Sequence, residues 1–239
     1  MVITISILVI GLLAGLATGL GALISISLKV ISDKILSVSL GFAAGIMIGI
    51  STLGLIPASL EMSSAYITIA GFIVGALFLL LIDVFMPHVH KMETESQQYA
   101  KMGYFIALGI TLHNIPEGIA IGATYEVSHI LGIMTAVTIG LHNVAEGLCV
   151  AMPLCLGKVN KFRIVLITTM TGLSTLFGTW LGLIFGLISP LFIAFFLAFA
   201  AGAMIYITSD ELIPKSHKTH SEFANIGIVS GFILALLLS

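Results

Sequence analysis

The sequence predicts an all-α integral membrane protein of eight transmembrane helices in a 3+2+3 inverted-repeat bundle with both termini outside the cytoplasm. Three observations predict it. The 239 residues are 59% hydrophobic and 8% charged, with a mean hydropathy of +1.20, whereas soluble chains carry about 25% charged residues. Apolar stretches recur at the length of about 20 residues that a helix needs to cross roughly 30 Å of hydrocarbon. Segments from the two ends of the chain also repeat one another. A transmembrane β-barrel would need segments of about ten residues with alternating polarity, and the chain has none.

The first span, 3–28, has no basic residue before it and no small-residue cleavage site with a polar stretch after it, so it is expected to be retained rather than removed as a signal peptide. The second, 35–57, starts behind Lys29 and Lys34 and ends on Leu55-Ile56-Pro57; the third, 66–87, follows the loop that holds Glu61 and runs up to His88 and His90. The fourth, 102–124, follows Lys101, and the fifth, 129–153, starts at His129. Cys149 lies within span five and Cys155 just after it; they form no disulfide framework and no paired metal motif, and read as packing residues. Spans six (163–187), seven (191–213) and eight (223–238) complete a single integral membrane domain over 1–239, with no soluble domain left over and no nucleic-acid partner expected.

All nine basic residues fall in alternate loops: Lys29 and Lys34; Lys91 and Lys101; Lys158, Lys161 and Arg163; Lys215 and Lys218. By the positive-inside rule these loops face the cytoplasm, which puts both termini on the other side.

A shift of 157 residues aligns 42–57 with 199–214, and ten of the sixteen positions are identical. The same shift aligns Gly15, Leu16, Thr18 and Gly21 with Gly172, Leu173, Thr175 and Gly178, and a shift of 160 matches Gly71-Phe72-Ile73 to Gly231-Phe232-Ile233. Spans one to three thus read as repeated in spans six to eight. An offset of five crossings inverts the second copy in the bilayer, an architecture typical of secondary transporters.

Between the repeats lie two copies of one motif, His113-Asn114-Ile115-Pro116-Glu117-Gly118 and His142-Asn143-Val144-Ala145-Glu146-Gly147. Ionisable groups inside a span cost roughly 2.5–3.5 kcal/mol each on insertion scales and mark ion pathways. Residues four apart share a helix face, which stacks His113 over Glu117 and His142 over Glu146, with Asn114 and Asn143 at the edge of that face. If spans four and five pack together, two imidazoles, two carboxylates and two amide oxygens converge on one cavity, a nitrogen and oxygen set suited to divalent transition metals. No thiolate joins it, which suits a site that must release its cargo. Pro116 frees the carbonyl of Leu112 and is expected to kink span four at the site, while Ala145 leaves span five straighter.

These residues resemble the ZIP (Zrt/Irt-like) family of divalent metal transporters. The two His-Asn motifs look like the family's metal-binding motifs, the segment Asp210-Glu211-Leu212-Ile213-Pro214-Lys215-Ser216-His217 is similar to its span-seven ending, and residues 83–90 resemble its span-three ending. The resemblance implies eight helices with both termini outside, metal held between spans four and five, and one helical bundle moving against another. It also implies passage of zinc, iron, manganese, cadmium or similar ions toward the cytosol as substrate rather than cofactor, across the cell membrane, often as a homodimer and without ATP. Two departures stand out: Thr175 replaces a span-six carboxylate that many members use at a second metal position, and Asn143 replaces an aspartate seen in some. Both predict one principal ion, bound chiefly by His113, Glu117, His142 and Glu146.

Glu61 and Glu126 are the acidic residues of the outer loops and candidates for a cation-attracting mouth, while His88, His90 and His217 on the lysine side are candidates for a cytoplasmic metal relay. The scattered methionines read as packing filler. Three functions compete: an alternating-access importer of divalent metal, a selective metal channel, and an intramembrane metalloenzyme. The last lacks a His-Glu-x-x-His motif or a nucleophile elbow, and the chain is not expected to be an enzyme.

Overall fold

The computed structural model describes residues 2–28, 30–85, 94–185 and 189–238. They form α1 (Val2–Ser27), α2 (Asp33–Gly49), α3 (Ile56–Met62), α4 (Ala65–Phe85), α5 (Glu95–Val127), α6 (His129–Leu156), α7 (Lys161–Phe185), α8 (Pro190–Ile207), α9 (Ile213–Thr219) and α10 (Ser221–Leu238). Among the described residues, eight helical stretches are long and apolar enough to cross a membrane; α2 continues into α3 as span two, and α8 into α9 as span seven. The all-α architecture is as expected.

Span ends differ from the hydropathy reading. Span two runs over Asp33–Met62, span four over Glu95–Tyr125 and span seven over Pro190–Lys218. Hydropathy loses a helix where its residues turn polar, but backbone capping does not. The Thr94 Oγ1 accepts from the Gln97 amide (3.3 Å) while the Gln97 Oε1 accepts from the Thr94 amide (2.8 Å), a reciprocal cap that starts α5 seven residues before Met102.

The α-geometry breaks at two places that the repeat relates. Residues Ile50–Leu55 and Thr208–Leu212 are π-helical, and each segment leads into a helix with proline near its start, Pro57 and Pro214. A proline donates no hydrogen bond and its ring crowds the carbonyl four residues back; a wider turn before it moves that carbonyl away, with Ile56 N–H reaching Ser51 O and Ile213 N–H reaching Thr208 O, five residues back. Span four shows no such break. Its helical geometry runs unbroken through Pro116, and α6 holds a proline of its own, Pro153, near its lysine-side end.

Packing divides the helices into two groups. Helices α1, α5, α6 and α7 form one, with α5 against α7 and α6, and α1 against α6 and α7; α2 pairs with α10 and α4 with α8 in the other. Contacts between α5 and α8 and between α2 and α6 join the groups. Where α1 crosses α7, a Cβ on Gly15 would strike the carbonyl of Gly172, and a Cβ on Gly172 the carbonyl of Gly15, so only glycine permits this backbone-to-backbone approach. Buried alanines, Leu40, Met47, Ile106, Val150, Leu154 and Met204 fill the space between the groups. Cys149 is buried there, its thiol 3.6 Å from the carbonyl of Ser39, in keeping with a packing role.

Candidate metal centre

Helices α5 and α6 meet with the two His-Asn motifs level and antiparallel. All six side chains singled out are buried: His113, Asn114, His142 and Asn143 completely, Glu117 and Glu146 to 1% exposure. The short contacts run between the helices rather than along them. The His113 Nε2 lies 2.7 Å from Glu146 Oε1, and the His142 Nε2 lies 3.0 Å from Glu117 Oε1. Within α6, His142 and Glu146 are 4.0 Å apart. Side chains four apart on a helix share a face but extend side by side, whereas residues on facing antiparallel helices point at each other.

Ligand atoms of His113, Glu117 and Glu146 all lie within 4.8 Å of one another. His142 closes the group through its contacts to both glutamates. Each carboxylate uses Oε1 for its histidine and keeps Oε2 buried without a hydrogen-bond partner. Buried polar atoms are almost always paired, and two carboxylate oxygens left over at one point could serve a bound cation. Two imidazoles and two carboxylates with these spare oxygens fit a divalent transition metal.

The asparagines hold the site against its neighbours. Asn143 Nδ2 donates to the carbonyl of Ala14 on α1 (2.9 Å) and Asn114 Nδ2 to that of Thr171 on α7 (3.3 Å), while both Oδ1 atoms remain buried and unpartnered. The glycine that closes each motif has a packing reason. A Cβ on Gly118 would strike the carbonyl of Thr175, and one on Gly147 the carbonyl of Thr18. Thr18 and Thr175, which the 157-residue shift aligns, thus lie at matching crossings of α1 with α6 and of α7 with α5.

The ZIP zinc transporter family profile matches residues 89–239. Over longer alignments the chain is 36% identical to the zinc transporter ZupT of Chlorobaculum parvum, covering 95% of this chain and 94% of the relative. It is 34% identical to the zinc transporter GufA of Myxococcus xanthus, covering 97% and 96%. A third relative, the zinc transporter ZupT of Enterobacter sp. strain 638, is 38% identical over 88% of this chain and 86% of its own length. The chain belongs to the ZIP family. Its relatives here are named as transporters and none as an enzyme, and with eight apolar helices it is an integral membrane protein.

Among the described side chains of this ZIP chain, His217 and Glu61 do not join the central group. His88 and His90 lie outside the described residues. His217 sits on α9 with Nδ1 2.9 Å from the carbonyl of Ile213 one turn earlier in the same helix and Nε2 2.9 Å from Asn225 Oδ1, the contact that ties α9 to α10. Glu61 is exposed at the end of α3, and Glu126 falls in the last turn of α5.

Proposed function

We propose that this protein carries zinc across the cell membrane toward the cytosol, holding one ion at a time between His113, Glu117, His142 and Glu146, with Asn114 and Asn143 fixing the two motif helices in place. The observation that carries the reading is the crossed pairing of the two motifs, which gathers two imidazoles and two carboxylates from different spans at one buried point and leaves two carboxylate oxygens unspent. Zinc is the cargo named for the relatives; iron, manganese and cadmium suit the same donors.

An alternating carrier is favoured over a channel by the paired packing. Helix α1 against α6 is matched by α7 against α5, and α2 against α10 by α8 against α4, which is the pattern expected if spans one to three and six to eight are inverted copies that exchange roles when the site changes sides. The lysine distribution supports a cytoplasmic location for the loops after spans one, three, five and seven.

The test is uptake of radioactive zinc into proteoliposomes, with other divalent ions as competitors. Wild type should give saturable uptake that Glu117→Gln and His142→Ala abolish; uptake untouched by both substitutions, or single-channel currents, would overturn the carrier reading.

A further inference from the structure

We propose that a phosphatidylethanolamine headgroup from the surrounding leaflet binds in a recess on the lysine side of the protein, with its phosphate on Lys215 and Lys218 and its ammonium on Glu95. The inference goes beyond the zinc reading and does not depend on it. The recess lies where the start of α5 faces α2 and α9. Its α5 wall is Glu95, Gln98, Tyr99 and Met102, which share one helix face at the spacing i, i+3, i+4 and i+7. Its α9 wall is Lys215 and Lys218, again three residues apart, and α2 contributes Leu36.

The depth is that of lipid headgroups. The apolar stretches of spans two, four and seven begin or end at residues 35, 102 and 213. Leu36 and Met102 thus stand at the margin of the hydrocarbon, and both are buried. Glu95, Gln98 and Lys218 are exposed beyond that margin. Lysines at the ends of spans extend their ammonium groups to this level while their stems stay against apolar surface.

Basic recesses between membrane helices on the cytoplasmic side recognise lipid phosphates. Two lysines alone would suit any phospholipid, and the carboxylate on the opposite wall narrows the choice. Among the described residues neither lysine forms a salt bridge with Glu95, so both signs of charge face the recess. Phosphatidylethanolamine carries both, a phosphate and an ammonium with three N–H donors. Phosphatidylglycerol has the anion without the cation, and the cation of phosphatidylcholine has no N–H to give a carboxylate. The Gln98 amide and the Tyr99 hydroxyl are neutral donors for the remaining phosphate oxygens. Helix α5 belongs to the motif-bearing group, whereas α9 packs on α2 of the other. A headgroup seated here therefore bridges the two groups.

Lipid binding to the purified full-length protein, by native mass spectrometry and by melting temperature in detergent, tests this. Phosphatidylethanolamine should bind about tenfold more tightly than phosphatidylglycerol or phosphatidylcholine and should raise the melting temperature. Lys218→Gln and Glu95→Gln, both at exposed positions, should each weaken that binding about tenfold. Glu95→Gln should also erase the preference for phosphatidylethanolamine over phosphatidylcholine. Lys215 is left intact because it also acts on Glu211. Lys161→Gln makes the same charge change at an exposed lysine outside the recess and should leave binding unchanged. Equal binding of the three lipids by wild type, tighter binding of phosphatidylglycerol, or wild-type affinity in both recess variants would overturn the proposal. So would stabilisation by inorganic phosphate equal to that by the lipid, which would assign the lysines to free phosphate. None of these readouts needs zinc transport, so a failed uptake assay would count against the zinc reading alone.

Discussion

His113 and Glu146 are each other's nearest ionisable partner, and the energetic consequence is that neither can be removed cleanly. Breaking a buried pair by deleting one member leaves an uncompensated group at a cost of about 3–5 kcal/mol. His113→Ala and Glu146→Gln should therefore each lower thermal stability in detergent, while the double variant loses less than the sum. A double-mutant cycle should return a coupling of about 1–3 kcal/mol for His113 with Glu146 and for His142 with Glu117, and much less for His113 with Glu117. Acid should weaken zinc binding. Each Nε2 donates its proton to a carboxylate across the helix pair, and a metal takes the lone pair that this proton occupies. The apparent Kd should thus rise as pH falls below neutral, and zinc binding should release protons into weakly buffered solution. The motifs singled out the residues that the structure buries between α5 and α6, because His and Glu in the middle of a span are costly without a partner. They did not disclose who pairs with whom, since that depends on the register of two helices, nor that the amides of Asn114 and Asn143 serve α7 and α1.

At the level of the helix, the glycine after each motif glutamate sets how closely its span approaches the next. Gly118→Ala would drive a methyl into the carbonyl of Thr175, and forced overpacking costs about 1–3 kcal/mol. The expected result is a lowered melting temperature together with loss of zinc affinity, as α5 and α7 separate at the site. Span ends were the least legible feature of the sequence. Residues 95–101 read as loop because Glu95, Gln97, Gln98 and Lys101 are polar, although the Thr94 cap makes them the first turns of α5. Proline marks a second limit, because the sequence shows where a helix loses a hydrogen bond but not how the turn adjusts: α-geometry continues through Pro116, whereas Pro57 and Pro214 are preceded by π turns.

For the molecule as a whole, the lysine count and the repeat spacing make one prediction about sidedness. In a background with Cys149 and Cys155 replaced, a cysteine at Ser64 should react with an impermeant maleimide in intact cells, and one at Lys158 only after the membrane is opened. The reverse pattern would invert the topology and with it the direction of import. The eight spans were legible because bilayer thickness imposes one length on all of them. The grouping of α1, α5, α6 and α7 was not, because lipid-facing and protein-facing apolar residues are chemically alike.

Spans four, five and six, which bear the two motifs and Thr175, are the least apolar of the eight, while α1, which packs on α6 and α7, is among the most apolar. As the ribosome delivers the chain, the first crossing can wait alone in lipid, but the three polar ones must find each other almost as they emerge. Biogenesis of this protein should accordingly be most fragile in the interval when the fifth crossing has been made and the sixth has not.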